Sequence, residues 1–163
     1  MNDLEDVKRQ LARLQARAPY LSKIYGPDQS FTPVVLHHVI IEATLTPAVV
    51  FAASGAPSFE TWCAPAEDAF EGRIAPQNLS ADVRLSGRQA VEANTRQAAP
   101  MSHWRHGKSG GEYCIRMHVM MAATAEPAVI YYKRFADPLE TWCRPAAEFF
   151  DGRFVQMASN QIR

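Results

Sequence analysis

The 163-residue chain lacks most of the features that would announce a chemistry. Its three cysteines, Cys63, Cys114 and Cys143, are odd in number and contain no C-x-x-C pair, so neither a disulfide framework nor a zinc site is expected. No apolar run approaches the ~20 residues of a membrane span. The acidic opening Met1-Asn2-Asp3-Leu4-Glu5 does not read as a signal peptide. A cytoplasmic protein without a membrane partner is the expectation. Net charge is zero, so no global field gathers nucleic acid, and no nucleic-acid partner is expected. Also missing are a G-x-S-x-G elbow, a Cys–His signature, a Walker loop and a G-x-G-x-x-G turn. The stretch Gly107-Lys108-Ser109-Gly110-Gly111 lacks the upstream glycine of a phosphate loop and reads as a flexible turn. No catalytic residue, metal ligand or cofactor is assigned on these grounds.

What the chain does contain is an internal duplication. Residues 34–73 return without a gap as residues 114–153, with seventeen of forty positions identical. The block Glu60-Thr61-Trp62-Cys63-Ala64-Pro65 matches Glu140-Thr141-Trp142-Cys143-Arg144-Pro145, and each is followed by a Phe-acid-Gly-Arg turn. A long fixed period determines architecture before any single residue is interpreted. Each copy, with its lead-in, is near the lower size limit for a self-sufficient core, so the halves should pack on each other.

Residues 3–18 carry Leu4, Val7, Leu11, Leu14 and Ala18 on one helical seam. Asp3 is placed to cap the start, and Pro19 lies beyond the end. This predicts a helix that docks within the chain or, alternatively, pairs with a second copy to form a homodimer. Strand alternation begins after it. Val35, Val39, Ile41 and Ala43 are expected on one face in the first copy, and Ile115, Met117, Val119, Met121 and Ala123 in the second. Residues 76–100 form a weaker helix, which Gly87 should loosen. The fold class expected is α+β: two tandem pseudo-symmetric units, 1–78 and 79–163, each a helix plus a small antiparallel β-sheet or partly open barrel.

In the second copy, Trp104-Arg105-His106-Gly107-Lys108, Glu112-Tyr113, Val129-Ile130-Tyr131-Tyr132 and Thr141-Trp142-Cys143-Arg144-Pro145 with Phe149 form a recognisable series. Residues 103–150 thereby resemble a short bacterial and phage family of unknown function with the signature Y-R-H-x-K-G … W-V-R-P; residues 31–75 match it weakly. The resemblance implies a small β-rich fold and brings no activity with it. The first copy departs from the signature. Tyr25-Gly26-Pro27-Asp28-Gln29 replaces the Arg-His-x-Lys stretch, Phe51 replaces Tyr131, and Ala64 replaces Arg144.

The functional expectation is a non-enzymatic binding module, phage-associated in one version, that recognises a protein partner or a small anionic, nucleotide-like ligand. The ligand-binding candidates are Trp104, Arg105, His106, Lys108, Tyr131, Trp142, Arg144 and Arg153. Arginine suits anion contacts through its planar fork. Trp62 and Trp142 are expected to be core anchors, and Arg73 and Arg153 to pair with Glu60 and Glu140 or to cap carbonyls. The alternative is a small enzyme using His106 or His118 as acid/base with Arg144 as an anion clamp.

Overall fold

A computed structural model of the chain describes residues 3–17, 19–21, 33–53, 60–74 and 76–162. The first-copy stretch Tyr25–Gln29 lies outside the described residues. Helix α1 spans Leu4–Gln15; the Asp3 carboxylate accepts from the Asp6 N–H at 2.8 Å, and Glu5 and Asp6 complement the positive helix end. Its Val7 and Leu11 are fully buried against Ile40, with Leu45, Leu139 and Trp142 around them. The seam is therefore packed within the chain.

Strands β1 (Pro33–Ile41), β2 (Thr46–Ala53) and β3 (Thr61–Pro65) form an antiparallel meander that leads into a short helix, α2 (Ala66–Glu71). After α3 (Ala81–Gln97) and β4 (His103–His106) comes a second meander. It comprises β5 (Glu112–Met121), β6 (Pro127–Lys133) and β7 (Thr141–Pro145), and α4 (Ala146–Phe149) and β8 (Phe154–Gln156) close the chain. Corresponding residues pair at corresponding registers: Val39 with Ala48 and Val119 with Ala128, Val50 with Cys63 and Ile130 with Cys143.

The meanders are not two separate small sheets. Parallel pairings of Ile41 with Cys143 and of Cys63 with Met121 join them edge to edge, so β3-β2-β1-β7-β6-β5 closes into one barrel. This corrects the expectation of a sheet or partly open barrel in each unit. A strand triplet of this size leaves two unpaired edges, and closure satisfies both. Strands β4 and β8 continue the sheet outward from β5.

The barrel interior is filled by small side chains: Val39, Ala48, Val50 and Cys63 from one meander, and Val119, Ala128, Ile130 and Cys143 from the other. Val35 and Ile115 do not join them. A bulge between Val35 and His37, and another between Ile115 and Met117, reverses the alternation, so Ile115 enters the outer aromatic cluster instead. Outside the barrel, Trp62, Phe51 and Phe70 form one cluster, and Trp104, Tyr131 and Phe149 another.

Each helix that leads into a meander is held by the same two devices. His38 faces the backbone of Leu14 near the end of α1, and His118 Nε2 meets the Ala98 carbonyl at the end of α3 at 2.6 Å. Lys8 on α1 reaches Glu140 at 3.1 Å and Asp137 at 2.8 Å, while Arg84 and Arg88 on α3 reach Glu60 at 2.7 and 3.0 Å. The partners of Glu60 and Glu140 are thus helix cations and not Arg73 and Arg153, which bond to Asp68 and Asp151 beside them. Gly87, far from loosening α3, is buried where a Cβ would lie 2.4 Å from the Ala125 carbonyl.

Candidate functional site

Ile41 lies beside Cys143 in the parallel β1–β7 pairing, so the next residues of both strands, Glu42 and Arg144, are brought together. Arg144 donates to the Glu42 carboxylate from Nη2 at 2.6 Å and from Nε at 3.0 Å. The Tyr131 hydroxyl donates to the same carboxylate. Burial alone would raise the Glu42 pKa, but the bonds from Arg144 and Tyr131 prevail and hold it below the ordinary carboxylate value. Burial and then the Glu42 contact push the Tyr131 phenol upward, so it remains a donor. The Arg144 guanidinium also lies 5.2 Å from the centre of the Phe154 ring.

Eighty positions away, the residues corresponding to Glu42, Tyr131 and Arg144 are Ala122, Phe51 and Ala64. All three are buried in one apolar cluster. A polar trio in one place therefore has an apolar trio as its sequence counterpart, each drawing one residue from one copy and two from the other.

The remaining candidates separate. Trp104 is buried against Phe149 and Phe150, with its indole N–H on the Ser102 hydroxyl, so it belongs to the core and not to a binding surface. His106 faces the same side and packs edge-on against Phe154, with Nδ1 3.0 Å from Ser109. Arg105, one residue away on a strand, points to the opposite face. It approaches Glu112 at 3.6 Å, so Arg105 and His106 do not converge on one ligand. Lys108 is exposed in the β4–β5 turn. Trp142 is half-buried between α1 and the second aromatic cluster. Arg153 pairs with Asp151 at 2.7 Å.

A cavity of about 410 Å³ opens at the barrel end beside Glu42, Cys143 and Arg144, with Glu126, Glu148 and Arg153 on its wall. Both arginines already have carboxylate partners, and further carboxylates surround them. The Nη1 of Arg144 is nevertheless buried without a hydrogen-bond partner. A larger cleft of about 700 Å³ lies between α1 and α2, where Arg13 and Arg17 face Glu67, Asp68 and Glu71. His118, the alternative acid/base, is buried with Nε2 engaged by a carbonyl, and burial lowers its pKa. No family model matches the chain, and no curated protein or solved structure does either.

Two features are hard to see in the sequence. Glu42 is invisible there as a site residue because its role exists only beside a residue 102 positions later. A signal is present, however, since Glu42, Tyr131 and Arg144 are each polar where the other copy is apolar. The second feature is a stripe across the outer face of the added strands. Val155 on β8 stands opposite Arg105 on β4, Arg105 opposite Glu112 on β5, and Arg134 bonds to Glu112 at 3.0 Å. Phe135 comes next, 93% exposed at φ 63° with the Arg134 guanidinium 4.9 Å from its ring centre.

Proposed function

We propose that the chain is a non-enzymatic binding module that recognises an acidic, apolar-containing segment of a protein partner through the outer stripe Val155–Arg105–Arg134–Phe135. The observation that carries this reading is Phe135. A bulky residue in the left-handed region costs free energy, and a fully exposed one gains nothing from burial in return. Both costs are understandable where the ring anchors a partner, as aromatic and Arg side chains do at interface centres. Val155 is also 61% exposed, and no strand among the described residues pairs with the outer edge of β8. An extended segment has backbone groups to pair with there.

The two meanders are, in this reading, units related by an approximate two-fold axis through the barrel, as in a fused dimer. The second unit carries the recognition surface and the first supports it. Kinship of residues 103–150 with the bacterial and phage family, and a phage-associated role, belong to the same proposal.

The test is selection of peptides from a random displayed library on the folded chain. Acidic peptides that bind the parent and lose at least about tenfold in affinity on Phe135→Ala and on Arg105→Glu support the reading. Selected peptides that bind both variants as well as the parent would refute it.

A further inference from the structure

The sulfur atoms of the barrel interior take no part in that surface. Cys63 on β3 is the register partner of Met121 on β5, and Cys143 Sγ lies 3.8 Å from Met121 Sδ. Cys63 and Cys143 belong to the same buried cluster, one from each meander. Cys63 is fully buried and Cys143 2% exposed, and Met121 packs against the cluster.

We propose that Cys63, Cys143 and Met121 form a trigonal binding site for one Cu(I) ion. Three sulfurs placed about 2.3 Å from a central ion in one plane stand about 4 Å apart. The 3.8 Å between Cys143 and Met121 therefore needs almost no adjustment. Thiolate and thioether donors together suit soft Cu(I), whereas a thioether is a poor ligand for harder divalent ions. Zinc wants four ligands, and among the described residues no three of His, Cys, Asp and Glu gather at one point. The cavity at the barrel end reaches both Met121 and Cys143, which provides a way in.

The coordination step moves no electrons. Cu(I) enters as Cu(I), two Cu–thiolate bonds and one Cu–thioether bond form, and the two thiol protons leave to solvent. Binding therefore displaces protons. Cys114, buried elsewhere beside Tyr132, is not part of the site and serves as the internal control.

The experiment is an anaerobic competition of the reduced full chain with a coloured Cu(I) chelator, followed by X-ray absorption at the copper edge. The expected result is one copper withdrawn per chain, with sulfur-only scattering at about 2.3 Å. Losing even an outer-shell partner weakens metal sites about 10–100-fold. Cys63→Ala or Cys143→Ala should therefore cost roughly a hundredfold or more, Met121→Leu at least tenfold, and Cys114→Ala nothing. If the cysteine variants fail to fold by circular dichroism, Met121→Leu and the parent spectrum decide. A folded parent that takes no copper overturns the site. So does nitrogen or oxygen scattering, or affinity unchanged by Met121→Leu.

Discussion

Glu42 and Arg144 stand 102 residues apart and share two hydrogen bonds, at 2.6 and 3.0 Å. The bond is made across the seam where β1 meets β7, so one ion pair ties the first strand of the chain to the last strand of the barrel.

Removing one member leaves the other short of a partner. Arg144→Ala should destabilise the fold by about 1–3 kcal/mol, less than a fully buried pair because Glu42 keeps 35% of its side chain in water. The triple variant Glu42→Ala, Tyr131→Phe, Arg144→Ala copies Ala122, Phe51 and Ala64. It should cost less than the sum of its single changes, since it replaces polar groups by an apolar set that the chain already uses. Urea unfolding of the four variants measures both quantities; strict additivity would show that the trio does not act as a unit.

Acid should weaken the protein in two stages. Burial lowers the pKa of His37, His38 and His118, so the unfolded chain takes up these protons first. Stability is then full above the unfolded histidine value of about 6.5 and falls as pH drops below it. His118 is the most constrained of the three, because its Nδ1 is buried without a partner and a second proton would have no acceptor. Glu42, depressed by Arg144 and Tyr131 against the effect of burial, contributes above about pH 4.3 and is lost below it. Stability curves at pH 7.5, 5.5 and 3.5 should show both losses. His118→Gln should flatten the first, and the triple variant the second.

The two repeated tryptophans should not be equivalent in energy. Trp62 is 1% exposed beneath α3, with Arg84 5.9 Å from its ring, whereas Trp142 is only half-buried. Trp62→Ala should cost about 3–5 kcal/mol, and Trp142→Ala about 2–3 kcal/mol because less of its area leaves water on folding. Equal losses in chemical denaturation would contradict the difference in burial.

Gly87→Ala should reverse the usual rule. In an open helix the change stabilises by about 1 kcal/mol. Here the new methyl would lie 2.4 Å from the Ala125 carbonyl and 2.9 Å from Met120 Sδ, forcing α3 off the barrel. A loss of about 1–3 kcal/mol is expected, read as a lower midpoint in thermal unfolding; a raised midpoint would mean that α3 shifts freely.

The sequence is most legible where a signal is local or repeated. The Leu4–Leu14 seam and the Asp3 cap define α1 almost to its ends, and strand alternation is visible along β1 and β5. The bulges at Leu36 and Arg116 are hidden, because an extra residue in a strand changes no residue type and only swaps the faces of the residues after it. Barrel closure is hidden for a similar reason. The β1–β7 and β3–β5 pairings join short segments far apart, and a strand's alternation does not name its neighbour. Among the candidate residues, Tyr131 and Arg144 stand out together without Glu42, so a neutralised cluster reads as an open cation site. Trp104 reads as exposed because its strand is short, and the aromatic cluster that buries it is drawn from α4 as well as β6.

Because the first meander closes only against β5 and β7, it cannot complete its hydrogen bonding while the ribosome is still making the second. The edge of β3 remains open until about residue 121 has emerged and that of β1 until about residue 145, since β5 ends at Met121 and β7 runs Thr141–Pro145. A nascent chain in that state presents two β edges to any neighbouring nascent chain. Two half-made copies on one messenger could then seal each other's edges and yield an exchanged dimer built from the same pairings. Slow translation through residues 80–140 should raise the yield of that species, whereas the finished chain, with those two edges closed, should not form it on standing.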